Sequence, residues 1–156
     1  MSVVRNSDWG ETGVNATITR WPARSVDDDE CLWHDARTVD PIVTENRSLT
    51  VVESDVPIEV KVAAYRVADG DSSRRGRFKI CRRNHEPLLN AQGEYAFGVY
   101  DKDGEAGDSD AIIRLSLVPA FVVDSLIDGV WSRCADGIDA ATLPWSSVFD
   151  PQEVNR

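Results

Sequence analysis

Asp40, Glu59 and Lys61 are, by chemistry and separation, the residues that best fit a reaction centre. Glu59 and Lys61 lie in the run Pro57 to Ala64, where Ile58, Val60 and Val62 alternate with Glu59, Lys61 and Ala63. A strand sends residues two apart to one face, so the carboxylate and the ammonium leave together, opposite the apolar side chains. Asp40 enters a second apolar stretch, Val39 to Val43, which the same pattern makes a neighbouring strand. Two carboxylates converging from adjacent strands suit a hard divalent cation such as Mg²⁺ or Mn²⁺, which takes oxygen ligands and, for Mg²⁺, keeps several of its waters. A lysine beside them can orient an attacking water and neutralise charge on a phosphate in flight.

Two further groups of residues carry chemistry of their own. Arg74, Arg75, Arg77, Lys79, Arg82 and Arg83 crowd into ten positions without one acidic residue, in a chain of net charge -10. Such a concentration is where a phosphate backbone would sit, and His85 just beyond it could add a phosphate contact. Cys31-x2-His34 and Cys81-x3-His85 have spacings that a structural zinc site tolerates, provided that both pairs meet in space. Ser146 and Ser147 have no histidine nearby to activate them, and no glycine-rich phosphate loop is present, which sets aside a serine hydrolase and a P-loop or Rossmann enzyme.

The elements that carry these groups follow from periodicity. A helix is expected from Ser7, with Glu11, Val14, Ile18 and Trp21 on one stripe until Pro22 ends it. Residues 22 to 37, with the run Asp27-Asp28-Asp29-Glu30, read as a loop. Three short strands follow, Thr38 to Val43, Leu49 to Glu53 and Pro57 to Ala64, with turns at Glu45-Asn46-Arg47 and Ser54-Asp55, as an antiparallel meander. Arg77 to Cys81 reads as a strand, Asn84 as the cap of a helix running to Gln92, and Tyr95 to Tyr100 as a buried strand. Ala111 to Val118 is expected as a strand, Pro119 to Asp128 as a helix, and Ala141 to Phe149 as an edge strand. The fold class is α/β: a mixed sheet with an antiparallel meander and further strands, flanked by helices, in one domain spanning residues 1–156.

With the helix, the meander bearing Asp and then Glu-x-Lys, the next helix and a further strand, residues 8 to 101 resemble the PD-(D/E)XK nuclease superfamily, which includes restriction endonucleases and archaeal Holliday junction resolvases. The resemblance implies a restriction-endonuclease-like fold and metal-dependent hydrolysis of DNA. It assigns Asp40 and Glu59 to the metal, Lys61 to the attacking water, and Glu11, on the first helix, to an auxiliary role. A small chain without a separate specificity domain looks more like a structure-selective, resolvase-like endonuclease, and such enzymes act as homodimers. One departure concerns the aspartate. Family members often carry proline before it, whereas Pro41 follows Asp40, which leaves Asp35 and Asp55 as alternative ligands. A non-catalytic nucleic-acid-binding or protein-interaction module, or a small zinc-stabilised interaction protein, are the competing classes.

Composition bounds these readings. With 156 residues, 42% of them hydrophobic, the chain can bury a core without staples, and its tryptophans, Trp9 among them, are expected mostly in that core. The 18 Asp against 9 Glu and 14 Arg against 3 Lys resemble proteins of a high-salt cytoplasm, where acidity serves hydration and does not exclude DNA as a partner. No apolar run approaches a membrane span and the start lacks the basic and apolar regions of a signal peptide, so a cytoplasmic location is expected. Three irregularly spaced cysteines fit reduced thiols.

Overall fold

The computed structural model describes residues 6–154, apart from 32 and 47. Its centre is a five-stranded mixed sheet built from β1 (Ala23–Ser25), β2 (Ala36–Thr38), β5 (Pro57–Ala64), β9 (Glu94–Tyr100) and β10 (Ile112–Pro119), adjacent in that order. β5 and β9 run parallel, with Glu59 opposite Tyr95 and Lys61 opposite Phe97; the other pairs are antiparallel. A parallel pair needs a crossover, which here includes α2 (Arg82–Asn90). α1 (Asn6–Arg20) covers one face of the sheet. The other face carries α2, α3 (Ala120–Ile127) and a three-stranded sheet in the order β11 (Ser132–Arg133), β12 (Asp139–Pro144), β8 (Arg77–Cys81). This is a restriction-endonuclease-like α/β architecture. Among the described residues no helix is long and apolar enough to cross a membrane.

The alternation of the central strands explains the two cores. On the α1 side Ile58, Val60, Ala96, Leu115 and Leu117 pack with Ala16, while on the other side Tyr95, Phe97 and Val99 meet Phe78, Ile80, Leu88 and Val123. β9 is buried on both faces, as a strand between two layers must be, and its run Tyr95 to Tyr100 is correspondingly apolar. Phe78 and Phe97 lie 4.5 Å apart at 42°, a tilted aromatic contact joining the two sheets. α1 approaches β5 closely because Gly13 faces it: a Cβ there would stand 2.5 Å from Val62 Cγ1. That close seating brings the polar edge of α1 beside β5.

The meander differs from expectation. β3 (Ile42–Asn46) and β4 (Ser48–Val52) form a separate two-stranded hairpin, and β2, not β4, pairs with β5. The break falls at the bend through Val39 and Asp40, ahead of Pro41, which has no amide to continue a ladder. The expected turn Glu45-Asn46-Arg47 includes position 47, outside the described residues. β2 itself comes from a stretch expected to be loop, as does β1. A second small hairpin joins β6 (Val67–Asp69) to β7 (Ser72–Arg74). α2 begins at Arg82, with Cys81 rather than Asn84 at its cap position. The expected edge strand near the C-terminus is β12, which lies in the middle of its sheet and gives way to a 3₁₀ turn at Trp145–Ser147.

Candidate active site

The site forms where β2 parts from β5. Their register pairs Ala36 with Ile58 and Arg37 with Pro57, so β2 accompanies only the first half of β5. Asp35 closes the junction from both ends: its amide donates to the Ile58 carbonyl at 2.8 Å, and its Oδ2 accepts the Val60 N–H at 2.8 Å. The side chain thereby satisfies a backbone donor that β2 no longer reaches. It also pins one carboxylate against the strand that carries Glu59 and Lys61.

Glu59 and Lys61 project together from β5 as period-2 geometry requires, and Glu59 Oε1 lies 3.0 Å from Lys61 Nζ. This face of the strand is not open to solvent: Glu59 is buried and Lys61 is half-buried. Burial, reinforced by the Asp35 charge and opposed by Lys61, pushes the Glu59 carboxyl up to about 7. Asp35 is also raised, chiefly by burial, with the Val60 N–H and the Lys61 ammonium holding it back. For Lys61, burial works against the ammonium, but the charge and hydrogen bond of Glu59 outweigh it and the pKa rises. Lys61 therefore remains a cation at neutral pH, positioned between two carboxylates.

A cavity of about 690 Å³ opens over this cluster and is lined by Asp35, Glu59 and Lys61 together with Glu11 and Asn15 of α1. Asp27 and Asp28, in a run expected to be a solvated loop, form part of its wall. A second cavity of about 440 Å³ shares Gly10, Val60 and Lys61 with the first and is lined by Arg74, Arg77 and Lys79. The two make a groove along the β5 edge, acidic at one end and basic at the other, with Lys61 at the junction. Arg77, Lys79 and Cys81 enter it because β8 alternates, its Phe78 and Ile80 facing the core. Trp9 and Tyr100, stacked 4.1 Å apart, close one side, so the tryptophan expected in the core also walls the groove.

Asp40 is not brought to this cluster. It follows β2, at the end opposite to Asp35, where the chain bends out of the sheet. Like Asp55, which pairs instead with Arg37 at 3.0 Å, it is exposed and lines neither cavity. The unusual order Asp40-Pro41 was the available signal: the proline marks where the chain leaves the sheet, and Asp35 is the aspartate that precedes the pairing strand.

The basic segment divides in the same way. Arg74, Arg77 and Lys79 line the groove, whereas Arg75 stacks over Trp145. Arg82 is held by Glu86 at 2.8 Å and Asp139 at 3.6 Å, and Arg83 is exposed outside both cavities. His85 corrects the expectation of a phosphate contact. It is 1% exposed, with Nδ1 2.7 Å from the Tyr95 hydroxyl and Nε2 2.9 Å from Asp124 Oδ1. Both ring nitrogens are thus committed inside the fold, through partners contributed by an apolar strand and a helix that showed no polar signal.

The same commitment removes His85 from the zinc set. Cys31 and Cys81 are half-buried free thiols, and His34 is buried against Trp33. Among the described residues no group of three or more His, Cys, Asp or Glu side chains is arranged to hold a metal unaided. Asp35 and Glu59 nevertheless offer what a hard cation takes: two hard-oxygen donors on one cavity, raising each other's charge penalty, with room for the waters that Mg²⁺ retains. The donor set fits such an ion.

Residues 1–150 match the family model of the PD-(D/E)XK nuclease superfamily domain. The chain belongs to the PD-(D/E)XK nuclease superfamily. Comparison with curated proteins finds no match. As a member of this superfamily the chain carries a nuclease-type domain.

Proposed function

We propose that this PD-(D/E)XK domain is a divalent-metal-dependent endonuclease that hydrolyses phosphodiester bonds of DNA. The observation that carries the reading is the single groove, in which the carboxylates of Asp35 and Glu59 meet the Lys61 ammonium at one end and the cations Arg74, Arg77 and Lys79 continue from Lys61 at the other. Asp35 and Glu59 would hold Mg²⁺ or Mn²⁺, which supplies Lewis-acid stabilisation of charge developing on the phosphoryl group. Lys61, fixed by Glu59, points an N–H donor into the same space and can align the attacking water or bind a non-bridging phosphate oxygen. Glu11, exposed at the cavity wall, can accept a hydrogen bond from that water or from an ion's hydration shell.

The basic end accounts for substrate retention. Among the described residues Arg77 and Lys79 make no ion pair, so their charges stay available to phosphates. The acid-rich composition suits a high-salt cytoplasm, where the Debye length falls to ~3 Å and only pairs in direct contact still count. The finer part of the reading, a structure-selective, resolvase-like homodimer, follows from analogy with the family.

The test is incubation with supercoiled, linear and four-way-junction DNA, with Mg²⁺ or Mn²⁺ and with chelator, at several salt concentrations. Metal-dependent cleavage that disappears in both Asp35→Asn and Lys61→Ala is the expected result. Binding that persists in chelator without turnover under any metal would make the domain a non-catalytic DNA-binding module.

A further inference from the structure

At the end of the main sheet where β9 begins and β10 finishes, away from the Glu59 cavity, a cavity of about 710 Å³ opens between the β3–β4 hairpin, the end of α2 and the start of α3. Its walls are Val52, Leu89, Leu117, Val118, Phe121 and Val122, with Gln92 at one end, and among the described residues Glu94 is its only titratable lining residue. We propose that this cavity binds a small apolar organic cation, a hydrophobic amine whose N–H group donates to the carboxylate of Glu94.

Four observations carry the assignment. Glu94 is only 7% exposed, and its Oε2 has no hydrogen-bond partner among the described residues. A carboxyl buried without a partner costs free energy that a bound donor would recover, and a charged donor recovers most. Burial alone pushes this carboxyl up to about 7, so it ionises near neutrality and an adjacent cation would favour that form. Apart from Gln92 the remaining lining side chains are apolar, and the rim adds Phe121 at 67% and Val51 at 59% exposure, so an occupant must bring hydrocarbon as well as charge.

Size and charge narrow the class. The volume lies in the range of ~300–1,000 Å³ typical of small-ligand pockets. Anions are disfavoured by Glu94 and by the net charge of -10, and a neutral alcohol would form a weaker bond to the carboxylate. A second copy of the chain would bring the same carboxyl to the same surface and no cation from the cavity wall, so a foreign cation is the better complement.

The experiment uses the full chain with hexylamine, 1-hexanol and hexanoate as probes of equal hydrocarbon length, measured by calorimetric titration and amide chemical shifts at pH 8. Hexylamine should bind saturably, one per chain, and shift the Val118 and Phe121 amides. Hexanol should bind about tenfold or more weakly, and hexanoate more weakly still. Glu94→Gln should reduce hexylamine to the level of hexanol, and Phe121→Ser, at the exposed rim, should weaken both together. If Glu94→Gln does not fold, the amine-to-alcohol ratio in the native chain and the Phe121→Ser result decide the matter. No saturable binding, equal affinity for amine and alcohol, shifts remote from the cavity, or a stable dimer covering Phe121 that hexylamine does not displace would each overturn the proposal.

Discussion

Glu59 and Glu94 are neighbours in register on the parallel pair β5 and β9, since Glu94 lies opposite Ile58. Because one follows the alternation of Ile58 and the other does not, they leave opposite faces of the sheet. Both are buried and both have carboxyls pushed up to about 7, yet their surroundings differ. Glu59 has Lys61 at 3.0 Å and shares its cavity with Asp35, whereas the carboxyl of Glu94 is set among hydrocarbon and is raised by burial alone, with Oε2 unpartnered among the described residues. Burial raises a carboxyl wherever it occurs. What sets Glu59 apart is the group of charges that converges on it.

The strongest effect is expected on the Glu59 side. Lys61→Ala should lower single-turnover DNA cleavage by about 10²–10⁴-fold while leaving DNA affinity within a few fold, because the missing group acts on the reacting atoms. Asp35→Asn should match it through weakened metal affinity, read by calorimetric metal titration. Asp40→Asn should keep full activity, and an inactive Asp40→Asn beside an active Asp35→Asn would reverse the assignment of the metal-binding aspartate.

The next effect belongs to Glu94. Its folded pKa of about 7 lies above the ordinary 4.5, so the native state holds the proton more tightly than the unfolded chain does. The stability this provides is complete below about 4.5 and is lost as pH rises through about 7. Above that range the charged carboxylate opposes folding by about 2–3 kcal/mol at most. Glu94→Gln should therefore raise stability at pH 8 by up to about that amount and flatten the pH dependence between 4.5 and 8, as measured by urea denaturation. A variant less stable than the parent at pH 8 would show that Glu94 has a partner when charged.

Weaker effects separate the two halves of the basic segment. Arg77→Ala or Lys79→Ala should weaken DNA binding a few fold without regard to sequence, and reduce the salt slope by roughly one unit for each phosphate no longer neutralised. Arg82→Ala should do much less, because its charge is already shared between Glu86 and Asp139. The least response is expected in folding: a zinc chelator should leave the melting temperature unchanged, since His85 is bonded to Tyr95 and Asp124. A marked drop, with zinc released in stoichiometric amount, would restore the metal reading.

Much of the architecture was legible in local pattern. Pro57 to Ala64 alternates strictly, and the strand occupies those eight residues; Arg77 to Cys81 likewise, with its cations on the face opposite Phe78 and Ile80. The helix before Pro22, the buried strand at Tyr95 to Tyr100 and the helix after Pro119 follow from equally short-range rules. The shared face of Glu59 and Lys61 was legible for the same reason, since it follows from backbone geometry alone.

That Asp35 and not Asp40 lies beside Glu59 could be read only from the assembled sheet, because it depends on which strand pairs with β5 and where the pairing stops. Both aspartates precede short β-type stretches, and only the register Ala36 to Ile58 distinguishes them. The polar partners of His85 came from residues 10 and 39 positions away, beyond the reach of any local period. Within a regular element, the face that each residue occupies depends on neighbours two to four positions apart, and so the amino-acid order is enough to set it. Which faces meet depends on packing between distant segments. That packing selects the carboxylates that share a cavity, the arginines that are already paired and the buried glutamate whose Oε2 finds no partner among the described residues.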